Sequence, residues 1–258
     1  MSNNTAILLY GLLPRSINYT FDSFKKYIVS PLLNLGDVDI YYHSWFVETI
    51  NNPRTNEIDI PISFEDLKNY LPDAIGKIED QKIFDLSFDW TEYIDNNPLN
   101  DGVIKNRGIG DNDIKSEITL LNFFRSLESQ RQVFNIFKNV NKNYNRIIIS
   151  RPDLKFLNKI IVSDEPIKSN EIIIPNFHHW GGINDKFAIG SINSIEHYCS
   201  RIKDAHHWAK FGKGNTEMFL MEYMRKNHIN VSLNESIKFY CIRSTGEMDY
   251  ESLNYGLV

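Results

Sequence analysis

An arginine and an acid follow directly after a strongly apolar run in the second half of the chain. The segment Arg146-Ile-Ile-Ile-Ser-Arg-Pro-Asp-Leu-Lys-Phe156 predicts a buried strand over Ile147–Ser150, and Arg151 and Asp153 come where this strand ends. In open α/β sheets, ligands bind at the carboxyl ends of the strands. We therefore expect Arg151 and Asp153 to contact a ligand. The structural alternative is an ion pair between Asp153 and Arg151 or a nearby lysine.

A second concentration of polar and aromatic residues lies in the loop from Asn176 to Phe187. Its two histidines are adjacent and no third ligand is obvious, so the spacing does not indicate a metal site. The loop is better interpreted as a polar-aromatic wall. An indole can stack on a sugar ring, glycines let the backbone approach a ligand, and an amide and a carboxylate accept hydrogen bonds from hydroxyls. The residues concerned are Trp180, Gly181, Gly182, Asn184 and Asp185. The alternative is a structured loop with a buried tryptophan.

Two further charged residues can serve either structure or chemistry. Glu217 lies in the first turn of a predicted helix, behind the glycine-rich segment 212–215, where the helix dipole favours an acid. Its functional alternative is a general base for an incoming hydroxyl. Arg15 follows the first predicted strand, where it can meet a nucleotide phosphate or base, or else form a surface salt bridge.

Four other acids have better structural explanations. Asp37 and Asp39 stand at the beginning of a predicted strand, which is the end that ligands do not use. Asp111 and Asp113 lie at the close of a glycine-rich segment, and Asp113 is suited to cap the long helix that follows. Capping is favoured over metal binding for this pair.

The sequence lacks the motifs of several kinds of catalysis and cofactor binding. There is no Gly-x-Ser-x-Gly elbow, and neither Cys199 nor Cys241 has a neighbouring base in sequence. The absence of a Gly-x-x-x-x-Gly-Lys-Ser/Thr loop excludes P-loop phosphoryl transfer, and no Gly-x-Gly-x-x-Gly follows the first strand. Nucleophilic serine or cysteine catalysis and dinucleotide binding are therefore not expected.

Alternating strands and helices must position these residues. The first 45 residues predict a strand over Thr5–Leu13, a helix over Phe21–Leu35 and a strand over Asp37–Trp45, which form a parallel βαβ unit. A long helix over Ile114–Asn139 leads to the strand before Arg151. The other predicted elements are helices over Ser63–Leu71, Ser191–Lys203 and Thr216–Lys226, and strands over Ala74–Ile78, Glu171–Pro175, Ile229–Val231 and Ile237–Arg243. We expect an α/β fold with helices flanking a mainly parallel sheet, in a single domain over residues 1–258.

Composition limits the classes of function. Hydrophobic residues make up 42% and charged residues 24% of the 258, as is ordinary for a soluble globular protein. A net charge of −5 argues against a nucleic-acid partner, because phosphate neutralisation needs a basic face. The longest apolar runs are too short for a transmembrane helix, and the first apolar stretch resembles a strand more than a signal peptide. Two cysteines are too few for a disulfide scaffold, which favours a cytoplasmic location.

Five segments, taken in order, resemble nucleotide-sugar-dependent glycosyltransferases of the GT-A type. The likeness is greatest to small members from giant viruses and some bacteria that build surface glycans. The segments are Ala6–Arg15, Asp39–Trp45, Ile148–Leu154, Gly182–Gly190 and Asn215–Leu220. The resemblance implies a GT-A-like (Rossmann-like) fold with a mixed, mainly parallel sheet.

The same resemblance implies roles for residues already singled out. The nucleotide pocket would form near Gly11 and Arg15, and Asp153 would take the place of the acid that binds the metal and the diphosphate. Glu217 would match the acid that serves as base in inverting members. The implied acceptor region contains Trp180 and Asp185.

One departure from the family pattern concerns the cofactor. The usual Asp-x-Asp is here Arg151-Pro-Asp153, so a cation replaces the first acid. Arg151 can neutralise diphosphate charge itself. The sequence therefore leaves open whether Mn²⁺ or Mg²⁺ is bound at Asp153.

The leading hypothesis is a cytoplasmic glycosyltransferase (in the host cytoplasm, if the protein is viral). Its donor would be a nucleotide sugar, UDP-linked, and its acceptor a glycan or a lipid-linked glycan at a membrane surface. Leaving-group charge would be stabilised by Asp153 through a metal or by Arg151 directly. In an inverting reaction Glu217 or Asp185 would deprotonate the acceptor, whereas a retaining reaction needs no dedicated base.

Two other classes of function remain. One is a non-catalytic carbohydrate- or nucleotide-binding module, which would need Trp180 and Arg15 but no catalytic acid. The other is a metal-dependent phosphate-ester hydrolase that uses clustered acids with His178 or His179.

Overall fold

The structure is a computed structural model that describes residues 3–52, 55–88, 113–163, 165–211 and 216–249. The glycine-rich segments at 102–112 and 212–215, with the predicted position of Asp111, lie outside the described residues. Asp113 is the first residue of the long helix, one position later than the cap position predicted for it.

Strands and helices alternate through much of the described chain. In chain order the strands are β1 (Thr5–Gly11), β2 (Val38–Phe46), β3 (Thr49–Asn52), β4 (Glu57–Pro61), β5 (Ile75–Asp80), β6 (Arg146–Ser150), β7 (Leu154–Phe156), β8 (Glu171–Pro175), β9 (Phe187–Gly190), β10 (Asn230–Asn234) and β11 (Phe239–Cys241). The α-helices are α1 (Ile17–Phe24), α2 (Ser30–Leu33), α3 (Leu67–Tyr70), α4 (Gln81–Ser87), α5 (Asp113–Lys138), α6 (Ile192–Ser200), α7 (Ile202–Phe211) and α8 (Thr216–Lys226). A π-helical stretch over Lys25–Val29 joins α1 to α2.

A seven-stranded sheet with the order β10-β8-β9-β6-β1-β2-β5 forms the centre of the fold. Neighbouring strands are parallel except at β9, which runs antiparallel to both β6 and β8. The apolar runs of β1 and β6 are buried along nearly their whole length, as expected for central parallel strands with both faces covered. The predicted mixed, mainly parallel α/β sheet is therefore confirmed.

Two apolar layers cover the two faces of the sheet. Because successive strand residues point to opposite faces, Leu8 packs with the layer that holds α5 and α6, and Ile7 with the layer that holds α1. Phe124 and Phe134 of α5 and Tyr198 of α6 belong to the first layer. The sheet is thereby held between helices on both sides.

Several element boundaries differ from the prediction. The helix predicted over Ser191–Lys203 is two helices, α6 and α7, with Arg201 between them. The one predicted over Ser63–Leu71 is reduced to the single turn α3. The sequence did not predict helix α4, strands β3, β4, β7 and β9, or the antiparallel pairing of β7 with β11. These elements are short, and their local patterns are too brief to identify them.

The acids at the beginning of β2 take part in ion pairs. Lys142 Nζ lies 2.6 Å from Asp39 Oδ2 and 3.4 Å from Asp37 Oδ2. This arrangement is consistent with the structural role that we expected for both acids. Among the described residues, no helix is long and apolar enough to cross a membrane.

Candidate functional site

The direction of β9 brings two distant segments to one edge of the sheet. β1 and β6 end at this edge, and antiparallel β9 begins there. The backbone N–H of Arg151 donates to the carbonyl oxygen of Lys186 at 3.0 Å. Residues that precede β9 therefore lie beside residues that follow β6, at the edge where open α/β sheets bind ligands.

Arg151 and Asp153 form a bidentate ion pair at this edge. Arg151 Nε donates to Asp153 Oδ1 at 2.8 Å, and Nη2 donates to Oδ2. Asp153 is only 3% exposed. Burial by itself would raise the pKa of Asp153, but the guanidinium groups of Arg151 and Arg15 outweigh it and hold that pKa below its ordinary value. The ion pair expected as the structural alternative is present.

Arg15 forms a second bidentate pair with a buried acid, Glu57 of β4. Arg15 Nε donates to Glu57 Oε1 at 2.9 Å and Nη2 donates to Oε2, while Nη1 lies 3.9 Å from Asp153 Oδ2. Burial would raise the pKa of Glu57, but hydrogen bonds and charge from Arg15, with hydrogen bonds from Thr55 and Ser244, lower it to about 2. The salt bridge expected for Arg15 therefore exists, but its partner is buried.

Gly11 is the last residue of β1. Its φ of 110° is disfavoured for any other residue, and a Cβ placed there would meet no atom within 4 Å. Its N–H donates to Ser129 Oγ at 2.8 Å, and this oxygen lies 2.8 Å from His43 Nδ1. Glu79 Oε2 completes the chain at 3.0 Å from His43 Nε2. Because Ser129 and His43 are fully buried, this chain fixes the end of β1 and does not present a nucleophile.

Two carboxylates share one lysine beside the arginines. Lys186 Nζ lies 3.3 Å from Asp185 Oδ1 and 3.2 Å from Glu217 Oε1. Burial and the charge of Asp185 raise the pKa of Glu217, and Lys186 opposes them only in part. For Asp185, burial is outweighed by Lys186, so its pKa is lowered. Glu217 is thus the carboxylate of this pair that takes up a proton more readily.

Two tyrosines connect this acid pair to the rest of the sheet. Tyr10, next to Gly11 in β1, donates its hydroxyl to the carbonyl oxygen of Asp185 at 2.9 Å. Tyr198 of α6 donates to the same oxygen at 2.5 Å. The backbone of Asp185 is therefore anchored to both the central strand and a flanking helix.

The loop before β9 exposes Trp180 and packs Gly182 against α8. Trp180 is 39% exposed, so the alternative of a buried tryptophan does not hold. The φ angles of His178, Trp180 and Gly181 are 55°, 45° and 84°, which is strained for the first two. A Cβ on Gly182 would come within 2.1 Å of the backbone of Glu217. The close approach that Gly182 permits is therefore to the first turn of α8.

Asn184 organises the loop internally. Its side chain is fully buried, donates through Nδ2 to the carbonyl oxygen of Phe177 at 2.9 Å, and accepts through Oδ1 from the N–H of Lys186 at 2.9 Å. His179 Nδ1 accepts from the N–H of Asn184 at 3.3 Å. Burial, and next the charge of Lys186, lower the pKa of His178 to about 4, so this ring is neutral at pH 7. The hydrolase hypothesis, which needs a histidine among clustered acids, gains no support.

The acids at this edge do not fit a divalent cation. Both oxygens of Asp153 accept hydrogen bonds from Arg151, and Lys186 lies between the other two carboxylates. Mg²⁺ needs several oxygen ligands in close to octahedral geometry. Within the part of the chain that the structure describes, no cluster of three or more His, Cys, Asp or Glu side chains could hold a metal.

All ten residues predicted for the site lie at this edge of the sheet. They are Gly11, Arg15, Arg151, Asp153, Trp180, Gly181, Gly182, Asn184, Asp185 and Glu217. Sequence reasoning missed Lys186 and Glu57. Lys186 directly follows Asp185 and could have been noticed, whereas Glu57 lies in a weakly patterned segment that offers no signal.

Comparison with known proteins gives distant structural likenesses. No family model matches the chain, and a search of curated proteins finds no match. A crystal structure of galactosyltransferase LgtC in complex with donor and acceptor sugar analogs is 8% identical, with a TM-score of 0.43, over 90% of this chain and 73% of that one. The apo form of mouse xyloside xylosyltransferase 1 is 11% identical, with a TM-score of 0.34, over 90% and 84%. Likenesses this distant do not indicate function.

Proposed function

We propose that this protein is a glycosyltransferase that moves a sugar from a UDP-linked donor to a glycan or lipid-linked glycan acceptor. The main support is that cations and carboxylates lie together at the edge of the sheet where β1 and β6 end, which is called the ligand-binding edge below. Arg15 and Arg151 supply fixed cations, Asp185 and Glu217 supply carboxylates, and the exposed Trp180 belongs to the loop that contains Asp185. Transfer from a nucleotide sugar needs both kinds, because charge leaves on the diphosphate while the acceptor hydroxyl loses a proton.

The two arginines would stabilise the leaving diphosphate. Each uses its Nε and Nη2 to hold an acid, so that its planar group has a fixed orientation. Among the described residues, Nη1 of Arg151 forms no hydrogen bond, and it would remain for a phosphate oxygen. Planar guanidinium groups suit phosphate recognition, and preorganised donors need no rearrangement when charge develops.

Glu217 would serve as base if the reaction inverts the anomeric carbon. A general base works best when its pKa lies near the working pH, and burial with the charge of Asp185 moves the pKa of Glu217 upward. Asp185 is the alternative base. A retaining reaction would leave both carboxylates to orient the acceptor.

Trp180 would bind the acceptor. Its indole is the large exposed aromatic group of this loop, and a flat apolar face of this kind stacks on sugar rings. The protein would be cytoplasmic, and it would act at the membrane surface if its acceptor is lipid-linked.

The arginines, and not a metal, would neutralise the charge of the diphosphate. The carboxylates fit a divalent cation poorly, whereas Arg15 and Arg151 are already oriented. Donor binding should therefore be the same with Mn²⁺ and with EDTA.

A thermal-shift panel of nucleotide sugars tests the proposal, because a ligand that binds the native state raises the melting temperature. UDP-linked hexoses and pentoses should raise it, with or without Mn²⁺, and should yield UDP when an acceptor is added. Arg151→Gln should abolish the shift. The matched control is Arg225→Gln, since Arg225 is on the exposed surface of α8. A panel in which no nucleotide sugar binds or reacts would refute the proposal.

A non-catalytic sugar- or nucleotide-binding module is the second candidate. It is favoured by one observation: Asp153, Asp185 and Glu217 are all engaged by cations. Donor binding with no turnover over an acceptor panel, unchanged in Glu217→Gln, would favour this module over the enzyme.

A further inference from the structure

Glu57 pairs with Arg15 and was not among the site residues predicted from the sequence. It begins β4, in a hairpin outside the central sheet, and is 1% exposed. The hairpin thus delivers a buried acid to the ligand-binding edge from a distant part of the chain.

Hydrogen bonds fill the acceptor positions of the Glu57 carboxylate. Oε1 accepts from Arg15 Nε at 2.9 Å and from the N–H of Ser244 at 3.0 Å. Oε2 accepts from Arg15 Nη2 and from the hydroxyl of Thr55. A carboxylate held from several sides cannot rotate freely, so the plane of the Arg15 guanidinium is fixed as well.

The pair with Glu57 matches the pair between Arg151 and Asp153. In both, a buried acid holds the Nε and Nη2 edge of an arginine. Arg15 Nη1 is thereby directed toward the other pair, 3.9 Å from Asp153 Oδ2. Both guanidinium groups therefore contact Asp153 Oδ2, which brings the two arginines together at this edge, as the binding of a two-phosphate group would require.

Stability alone gives a weak reason for such a pair. Replacing a buried ion pair by apolar residues of similar volume is often neutral or stabilising. A bidentate pair at a ligand-binding edge is better explained by the direction that it imposes on the arginine.

We propose that Glu57 is a positioning residue that orients Arg15 toward the diphosphate of the donor. This rests on the proposed function, and it adds a residue from β4 that would not touch the donor itself. Glu57 would act only through Arg15.

A double-mutant cycle tests this, with UDP and inorganic pyrophosphate as probes in isothermal titration calorimetry. The variants are Glu57→Gln, Arg15→Met and the two combined. Glu57→Gln should weaken binding about tenfold when Arg15 is present and should cause no further loss in the Arg15→Met background, since contacting residues are coupled. Glu222→Gln, at a half-buried position of α8 that pairs with Arg225, is the control and should bind as the wild type does.

Unchanged binding in Glu57→Gln, or an equal loss in both backgrounds, would overturn the positioning role. If Glu57→Gln does not fold, Thr55→Val keeps both charges and removes one hydrogen bond to Glu57. It should weaken binding about threefold, and again only when Arg15 is present. A wild-type protein that binds neither probe would refute the proposed function itself, whereas binding with additive losses refutes the positioning role alone.

Discussion

Replacing Glu57 by glutamine should remove a large part of the folding stability at neutral pH. The pKa of Glu57 is about 2 in the folded protein, against an ordinary value of 4.5. Each tenfold change in proton affinity corresponds to about 1.4 kcal/mol, so the folded protein is more stable with Glu57 ionised than with Glu57 protonated by about 3 kcal/mol. Glutamine has the shape of the protonated acid and keeps little of its attraction to Arg15. We therefore expect Glu57→Gln to lose about 3 kcal/mol at pH 7.

The pH dependence follows from the direction of the change in pKa. Because the pKa of Glu57 is lower in the folded chain than in the unfolded one, its contribution is fully present above pH 4.5 and is lost as the pH falls toward about 2. The difference in unfolding free energy between wild type and Glu57→Gln should therefore stay constant from pH 7 to about pH 5. Below that it should shrink steadily.

Urea denaturation at pH 7, pH 5 and pH 3.5 measures this difference, with equal m-values as the condition for comparing the two proteins. Glu222→Gln is again the control, because removing an exposed ion pair on a helix should change stability by less than about 0.5 kcal/mol. A loss below about 1 kcal/mol at pH 7, or a loss as large at pH 3.5 as at pH 7, would refute the described pairing of Glu57 with Arg15.

Three further predictions concern the rest of the site. Lys186→Met leaves two buried carboxylates without their cation and should cost about 3 kcal/mol at pH 7. The pKa of Glu217 is raised in the folded state, so Glu217 takes up a proton more readily as the pH falls, and the loss measured by urea denaturation should be smaller at pH 5 than at pH 8. A loss independent of pH would contradict the sharing of Lys186 by the two carboxylates. Trp180→Ala should raise the KM for the acceptor more than it changes kcat; an unchanged KM would remove Trp180 from the acceptor site. Gly182→Ala should cost about 3 kcal/mol or more, because its Cβ would collide with the backbone of α8, whereas Gly11→Ala, with open space around it, should cost only about 1 kcal/mol through its positive φ. Equal losses in these two variants would contradict the packing of Gly182.

Local patterns in the sequence predicted the frame of the site. The apolar runs of β1 and β6 and the periodic helix α5 between them indicated parallel central strands, because burial on both faces leaves a continuous apolar run. Once these strands were recognised, the positions of Arg15, Arg151 and Asp153 at their carboxyl ends followed.

Local patterns could not predict the partners of these residues. Arg15 pairs with Glu57, and Lys186 pairs with Glu217, at sequence separations of 42 and 31 residues. Charge pairing depends on the distance between side chains in space, and neither spacing nor periodicity records that distance. Only the folded arrangement distinguishes a buried acid behind an arginine from a surface carboxylate.

The sequence by itself determined which segments are buried, which residues follow the central strands, and that a charged, aromatic loop precedes Phe187. The tertiary structure decided the direction of β9, and with it whether Asp185 lies at the ligand-binding edge or at the opposite one. The physical reason is that a four-residue apolar strand is equally compatible with either direction in its own sequence. Its direction is set by the hydrogen bonds that β6 and β8 offer on either side.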